Sequence, residues 1–249
     1  MCRSNKKKYA KVRLYHGEGL LEPGEEVALA GKNAHYVKDV MRAKANDVIV
    51  LFDGVKGDWS CKISKVERNL VVARVEFLLR AHEKTGRLTL CISLVKHEIM
   101  RNVVRQATEM GVTLIQPIVT EYSVLGGTSV QKCVSWAIEA SEQCGRCDIP
   151  EVAPVIEFRD LDRLGHAFVL CDETGGGQMP NNALRGKTNL AIIVGPEGGF
   201  SKNELEYANG FCSKMSLGSR ILKVDTAVVA ALAYVNEHCV LAGIESSCV

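Results

Sequence analysis

The chain has 249 residues, with 31 Lys+Arg against 29 Asp+Glu, 47% hydrophobic and 24% charged residues. This composition is that of a globular protein and excludes a disordered tail, a collagen and a strongly supercharged chain. No uninterrupted apolar run approaches the roughly 18–20 residues that cross a bilayer, the longest being Ala227 to Val235.

From Met1 to Lys8 the chain carries the charge of a signal peptide, but no apolar stretch follows, so the expected location is cytoplasmic. Residues 1–80 hold 16 Lys+Arg and 10 Asp+Glu, a balance of +6; the remainder holds 15 and 19, a balance of −4. A basic first third suits contact with a polyanion, and equally a solvated Lys-rich surface.

In chain order, Lys11 to Tyr15, Glu26 to Ala30, Val48 to Phe52, Trp59 to Val66 and Leu70 to Leu79 read as strands separated by turn residues. Asn33 to Arg42 reads as a short helix capped by Asn33. Five strands at this spacing suggest a small barrel. Residues 81–87 are polar and read as a linker, which puts the domains at 1–80 and 85–249. From Leu88 the rhythm becomes β-α. Leu88 to Val95, Leu114 to Val119, Ala167 to Cys171, Leu190 to Val194 and Lys214 to Leu217 are strands. Glu98 to Met110, Val130 to Gln143, Lys202 to Ala208 and Val224 to Leu241 are helices. Such alternation implies a mainly parallel sheet covered by helices.

Four strings can carry chemistry. The strand Ala191 to Val194 runs into Gly195-Pro196-Glu197-Gly198-Gly199-Phe200, with Ser201 and Glu204 set to form a capping box on the next helix. Glycines at the C-terminal end of a parallel strand suit close approach to a ligand, or a tight turn without one. The pattern is neither GxGxxG nor a Walker loop. Leu217-Gly218-Ser219-Arg220-Ile221-Leu222 is a second strand-loop-helix transition, and two such loops on neighbouring strands would form one crevice. Glu139 to Arg146 puts Gln143 and Arg146 at a helix end, where they meet a polyanion or helix carbonyls. Glu109, before Met110-Gly111-Val112, suits a structural pairing.

The ten cysteines are scattered. Cys144-Gly-Arg-Cys147 lacks the second pair or His ligands of a zinc site, so no metal is expected. It also follows a helix, whereas a thioredoxin-like motif starts one.

Together, Thr108 to Val112, Ile115 to Ser123, Glu139 to Val152, Ile192 to Glu204 and Leu217 to Ala227 resemble, in order, the bacterial ribosomal RNA small subunit methyltransferase E family; Val12 to Tyr15 and His35 to Arg42 resemble its amino-terminal strings. The resemblance implies a PUA-like β-barrel followed by a SPOUT-type α/β methyltransferase domain with a trefoil knot. It also implies S-adenosylmethionine (SAM) as cofactor, N3 of a uridine in 16S rRNA as target, and a homodimer. On it, Val194, Gly195, Glu197, Gly198, Gly199, Leu217, Gly218, Ile221 and Leu222 would line the cofactor pocket. Arg220 would stabilise the uracil anion or grip a phosphate. Asp225 would accept the proton or sit as a carboxylate at a helix N-terminus. Arg13, Arg42 and Arg146 would contact RNA phosphates. The sequence departs from the family at Ser219, Lys223, Val224, Asp225 and Gln106, where Pro, Arg, Thr, Glu and Lys are usual. Two other functions fit the same residues: a non-catalytic RNA-binding protein of this fold, and a CxxC redox protein.

Overall fold

The computed structural model describes residues 12–83, 86–126 and 128–241. The basic run Lys6–Lys8 and the first residue of the expected strand, Lys11, lie outside them. Contacts divide the chain into two units: one comprises the chain up to Glu83 together with Ser141–Asp148, and the other holds the rest. Nothing in the local sequence pattern marks the return of Ser141–Asp148 to the first unit.

The first unit is built from β1 (Arg13–Tyr15), β2 (Glu26–Ala30), α1 (Gly31–His35), a π-helical turn (Tyr36–Val40), β3 (Val48–Phe52), β4 (Gly57–Val66) and β5 (Leu70–Ala81). The strands form one sheet in the order β1-β3-β4-β5-β2; β1 and β3 are parallel and the other pairs antiparallel. Alternation sets the inner face: Val27 and Leu29 of β2 are buried between exposed neighbours, and they meet Ile49, Leu51, Cys61, Ile63, Val71 and Ala73 in one core. The helix starts two residues before the expected cap. Ala30 occupies the N-cap position, and Asn33 lies inside the helix with its Nδ2 3.5 Å from the Tyr15 carbonyl. The turn from β3 to β4 is organised by Asp53, whose carboxylate accepts from the backbone N–H of Val55 (2.9 Å), Lys56 (2.7 Å), Gly57 (3.4 Å) and Leu21 (3.2 Å). Burial pushes the Asp53 pKa up, but the four N–H donors outweigh it and hold the carboxyl below its ordinary range.

The second unit contains β6 (Thr89–Ser93), α2 (His97–Glu109), β7 (Leu114–Val119), α3 (Val130–Cys144) up to Ala140, β8 (Glu151–Val152), β9 (Ile156–Glu157), a 3-10 segment (Phe158–Leu164), β10 (Ala167–Cys171), α4 (Pro180–Leu184), β11 (Leu190–Val194), α5 (Lys202–Ala208), β12 (Cys212–Met215) and α6 (Val224–Leu241). Every strand pair is parallel, in the order β12-β10-β11-β6-β7-β8, with β9 also on β7. Buried strands covered on both faces read as continuous apolar runs, and all five residues of β11 are buried. Leu90, Ile92 and Ile192 pack into one core cluster, while Cys91, Ala191 and Ile193 pack into another with the Phe158, Phe168 and Phe200 side chains. The loop after β10 and the chain leaving β12 run side by side: Asp172 N–H donates to the Met215 carbonyl (2.9 Å) and Ser216 N–H to the Gln178 carbonyl (2.8 Å).

By length and composition α6 could cross a bilayer, despite its short uninterrupted apolar runs. Its Val228, Ala231, Leu232 and Val235 are nonetheless fully buried, and the helix packs against α2, α4 and β11.

A cofactor-sized cleft at the strand ends

The C-terminal ends of β10 and β11 and the chain beyond β12 converge on one cleft. It is lined by Cys171, Asp172, Glu173, Val194, Gly195, Pro196, Gly199, Phe200, Leu217, Gly218, Arg220, Leu222, Val224 and Ala227. The carboxyl edge of a parallel sheet is where α/β folds place ligands.

The glycine loop is fixed from below by the expected capping box. Glu204 N–H donates to the Ser201 hydroxyl (3.3 Å), and Ser201 N–H donates to the Glu204 carboxylate (2.8 Å). The other Glu204 oxygen accepts from Glu121 N–H at 2.8 Å. Within the loop, Gly199 N–H donates to the Pro196 carbonyl (3.0 Å). Gly199 has φ +70°, and a β-carbon there would collide with the Glu173 carboxylate. A β-carbon on Gly195 would come within 2.9 Å of the Phe200 ring. Both positions need glycine, one for conformation and one for space.

The structure thus brings Val194, Gly195, Gly199, Leu217, Gly218, Leu222 and Arg220 to the same cleft. Glu197 and Gly198 are exposed on the loop outside its lining, and Ile221 is 81% exposed. Asp225 also lies outside the lining, in the first turn of α6. Its Oδ1 accepts from Thr226 N–H (3.0 Å), and its Oδ2 lies 3.5 Å from the Asn102 Nδ2. This is the position of a carboxylate at a helix N-terminus.

One expectation of the crevice is corrected. β11 and β12 are not neighbours, because β10 lies between them. The loop following β10 therefore supplies a third wall, Cys171 to Glu173, which the glycine motifs did not signal. The only hint in the sequence was the Gly175-Gly-Gly177 run directly after Glu173-Thr174. Burial pushes the Cys171 thiol up to about 12, which disfavours its nucleophilic thiolate form.

The three arginines expected at RNA phosphates divide. Arg13 donates Nε (3.0 Å) and Nη2 (2.7 Å) to Asp58, Nη1 to the Ser141 carbonyl (2.8 Å) and Nη2 to the Arg146 carbonyl, and its guanidinium sits 3.9 Å over the Phe52 ring. Arg146 forms a two-pronged pair with Asp148 at 3.0 and 2.6 Å, with only 12% of its side chain exposed. Burial pushes the Asp148 pKa up, and the Arg146 pair overrides this to hold it low. Both arginines are engaged inside the first unit, where each has a structural role. Arg42 is exposed. The CxxC is part of the same arrangement: Cys147 is buried 3.0 Å from Arg80 Nη2, whose guanidinium also bonds Asp58 (2.9 Å) and the Gly145 carbonyl.

A parallel α/β sheet with a glycine-walled cleft at its carboxyl edge, in a chain that also carries a small β-unit, defines a ligand-binding α/β protein with an accessory β-domain. The RNA methyltransferase domain model matches residues 82–236, and the RNA methyltransferase PUA domain model matches residues 29–76. The ribosomal RNA small subunit methyltransferase E of Rickettsia conorii is 30% identical over 238 residues, covering 91% of this chain and 97% of that protein. Its namesake from Synechocystis is 32% identical over 222 residues, covering 84% and 72%. The crystal structure of a ribosomal RNA small subunit methyltransferase E from Neisseria gonorrhoeae bound to S-adenosyl methionine is similar with a TM-score of 0.83 at 26% identity, covering 91% of this chain and 97% of that one. The chain belongs to the ribosomal RNA small subunit methyltransferase E family, with an α/β RNA methyltransferase domain preceded in sequence by a PUA domain.

Proposed function

We propose that this protein methylates N3 of a specific uridine in 16S rRNA, using SAM bound in the cleft at the ends of β10 and β11. The observation that carries this reading is the cleft itself, because its walls fit the cofactor's chemistry. Val194, Pro196, Phe200, Leu217 and Leu222 offer an apolar slot for a purine, and Glu173 offers a negative charge to a cationic donor. Gly195 and Gly199 keep the backbone bare where side chains would fill the space.

Bound SAM would supply an electrophilic methyl group on a sulfonium. The protein's own task is to hold the uracil in line and to stabilise its N3 anion. Orientation alone contributes roughly 7–11 kcal/mol in favourable cases. Arg220 is the one lining cation among the described residues, and its guanidinium is suited to the charge that develops on the uracil oxygens. Asp225, held by Thr226 N–H, positions the start of α6. Deprotonation of N3 then falls to solvent or to Asp225 after local movement.

On this reading the RNA meets the first unit through exposed cations around α1, among them Lys32, Arg42 and Lys44. The target base leaves its stack to reach the cleft. The boundary of the RNA-binding module falls near residues 81–87. Two copies assemble through α6, which is apolar around much of its circumference and exposes Tyr234 (40%), Val240 (58%) and Leu241 (76%). On this reading the enzyme works in the cytoplasm, where its ribosomal RNA substrate is. Mass-spectrometric mapping of modified uridines in 16S rRNA, from cells with and without this protein, tests the assignment. Loss of one N3-methyluridine is expected, and an unchanged map rejects it. A non-catalytic RNA-binding protein would show no calorimetric affinity for SAM.

A further inference from the structure

We infer that the acidic pair Asp172–Glu173 makes the cleft select the positively charged methyl donor over its neutral sulfide product. This rests on the reading that the cleft binds SAM. Asp172 is 6% exposed; its Oδ1 accepts from Thr174 N–H (2.8 Å) and the Thr174 hydroxyl (2.7 Å), whereas its Oδ2 is buried with no hydrogen-bond partner. Glu173 leans across Gly199, so that a β-carbon there would strike its carboxylate. Among the described residues neither acid is in an ion pair, and neither is Arg220. The cleft lining therefore holds two carboxylates and one guanidinium, all unpaired, on otherwise mostly apolar walls. A buried carboxylate whose second oxygen has no hydrogen-bond partner among the described residues keeps its charge available to act on the cleft that Asp172 lines. Charges on apolar walls interact more strongly once a ligand excludes water.

In the transfer, the carbon–sulfur bond breaks and its electron pair stays on sulfur, while the uracil N3 lone pair forms the new bond to the methyl carbon. The sulfonium becomes a neutral thioether, and the N3 proton leaves to a base. Donor and product share the same ammonium, carboxylate, ribose and adenine, so the sulfonium is the charge that distinguishes them. A net-negative cleft loosens its grip when that charge disappears, which speeds product release.

Isothermal titration calorimetry of the full chain and of Glu173→Gln, with SAM, S-adenosylhomocysteine and sinefungin, tests this. Sinefungin carries an ammonium where the sulfonium stands. Glu173→Gln is expected to weaken SAM and sinefungin about tenfold, or about 1.4 kcal/mol, and to leave S-adenosylhomocysteine within about twofold. Asp172→Asn, which keeps an oxygen for Thr174, is expected to show the same pattern with an unchanged melting temperature. Equal weakening of all three ligands, or an unchanged donor-to-product ratio in both variants, overturns the selectivity while leaving the methyltransferase reading intact. A wild-type chain that binds none of them overturns the reading itself.

Discussion

The two units use charge in opposite ways. In the first, Asp58 receives both Arg13 and Arg80, Arg146 takes Asp148, and leftover guanidinium donors go to the Ser141, Gly145 and Arg146 carbonyls. In the cleft of the second, Asp172, Glu173 and Arg220 line the walls with no ion pair among the described residues. Charges of the first kind fix geometry, and removing one partner strands the other. Charges of the second kind await a ligand. An arginine's meaning therefore depends on whether its donors are already taken, which composition alone does not reveal.

This contrast can be broken at several points. The largest effect is expected from Gly199→Val, which forces a branched side chain into φ +70° against Glu173. SAM affinity measured by calorimetry should drop more than about 100-fold, because the loop can no longer adopt its shape. Wild-type affinity would remove this loop from the site.

Asp58→Ala comes next. It leaves two guanidiniums uncompensated, one of them on a mostly buried side chain, and should destabilise the first unit by about 3 kcal/mol in chemical denaturation. A loss below about 1 kcal/mol would mean that the pairs are surface ornaments.

Arg220→Ala should lower kcat about 10–100-fold while the KM for SAM stays within about threefold, since its charge is needed when the uracil anion forms. The acid limb of stability is smaller. Asp53 and Asp148 have folded-state pKa values below their unfolded ones. Their contribution is thus complete above the unfolded value near 4 and is lost as pH falls through the folded values. Melting temperature should decline below about pH 4, and Asp53→Asn should flatten that decline.

The smallest change is expected at Arg42→Ala, which should reduce the salt slope of RNA binding by about one. Arg13→Ala should instead lower thermal stability, which separates the exposed arginine from the engaged one.

Much of the fold was legible because local pattern decides it. Val48–Phe52, Leu114–Val119, Ala167–Cys171, Leu190–Val194, Lys202–Ala208 and Val224–Leu241 have the limits that their apolar runs and caps prescribe. The Ser201/Glu204 box closed as its spacing requires. What escaped was set by distance along the chain. The two-residue strands β8 and β9 exist only because β7 offers its edge. The insertion of β10 between β11 and β12 is a matter of sheet order, and it brought Asp172 and Glu173 into a site whose glycines had pointed elsewhere. Arg13 reads as a free cation until Asp58, 45 residues away, is seen beside it.

Because Ser141–Asp148 belongs to the first unit, that unit is discontinuous along the chain. A fragment ending at Glu83 would leave behind the carbonyl acceptors of Arg13 and Arg80 at Ser141, Arg146 and Gly145. A truncation that isolates the front piece therefore strands donors of both guanidiniums, and an independently expressed module needs the eight-residue return grafted onto it.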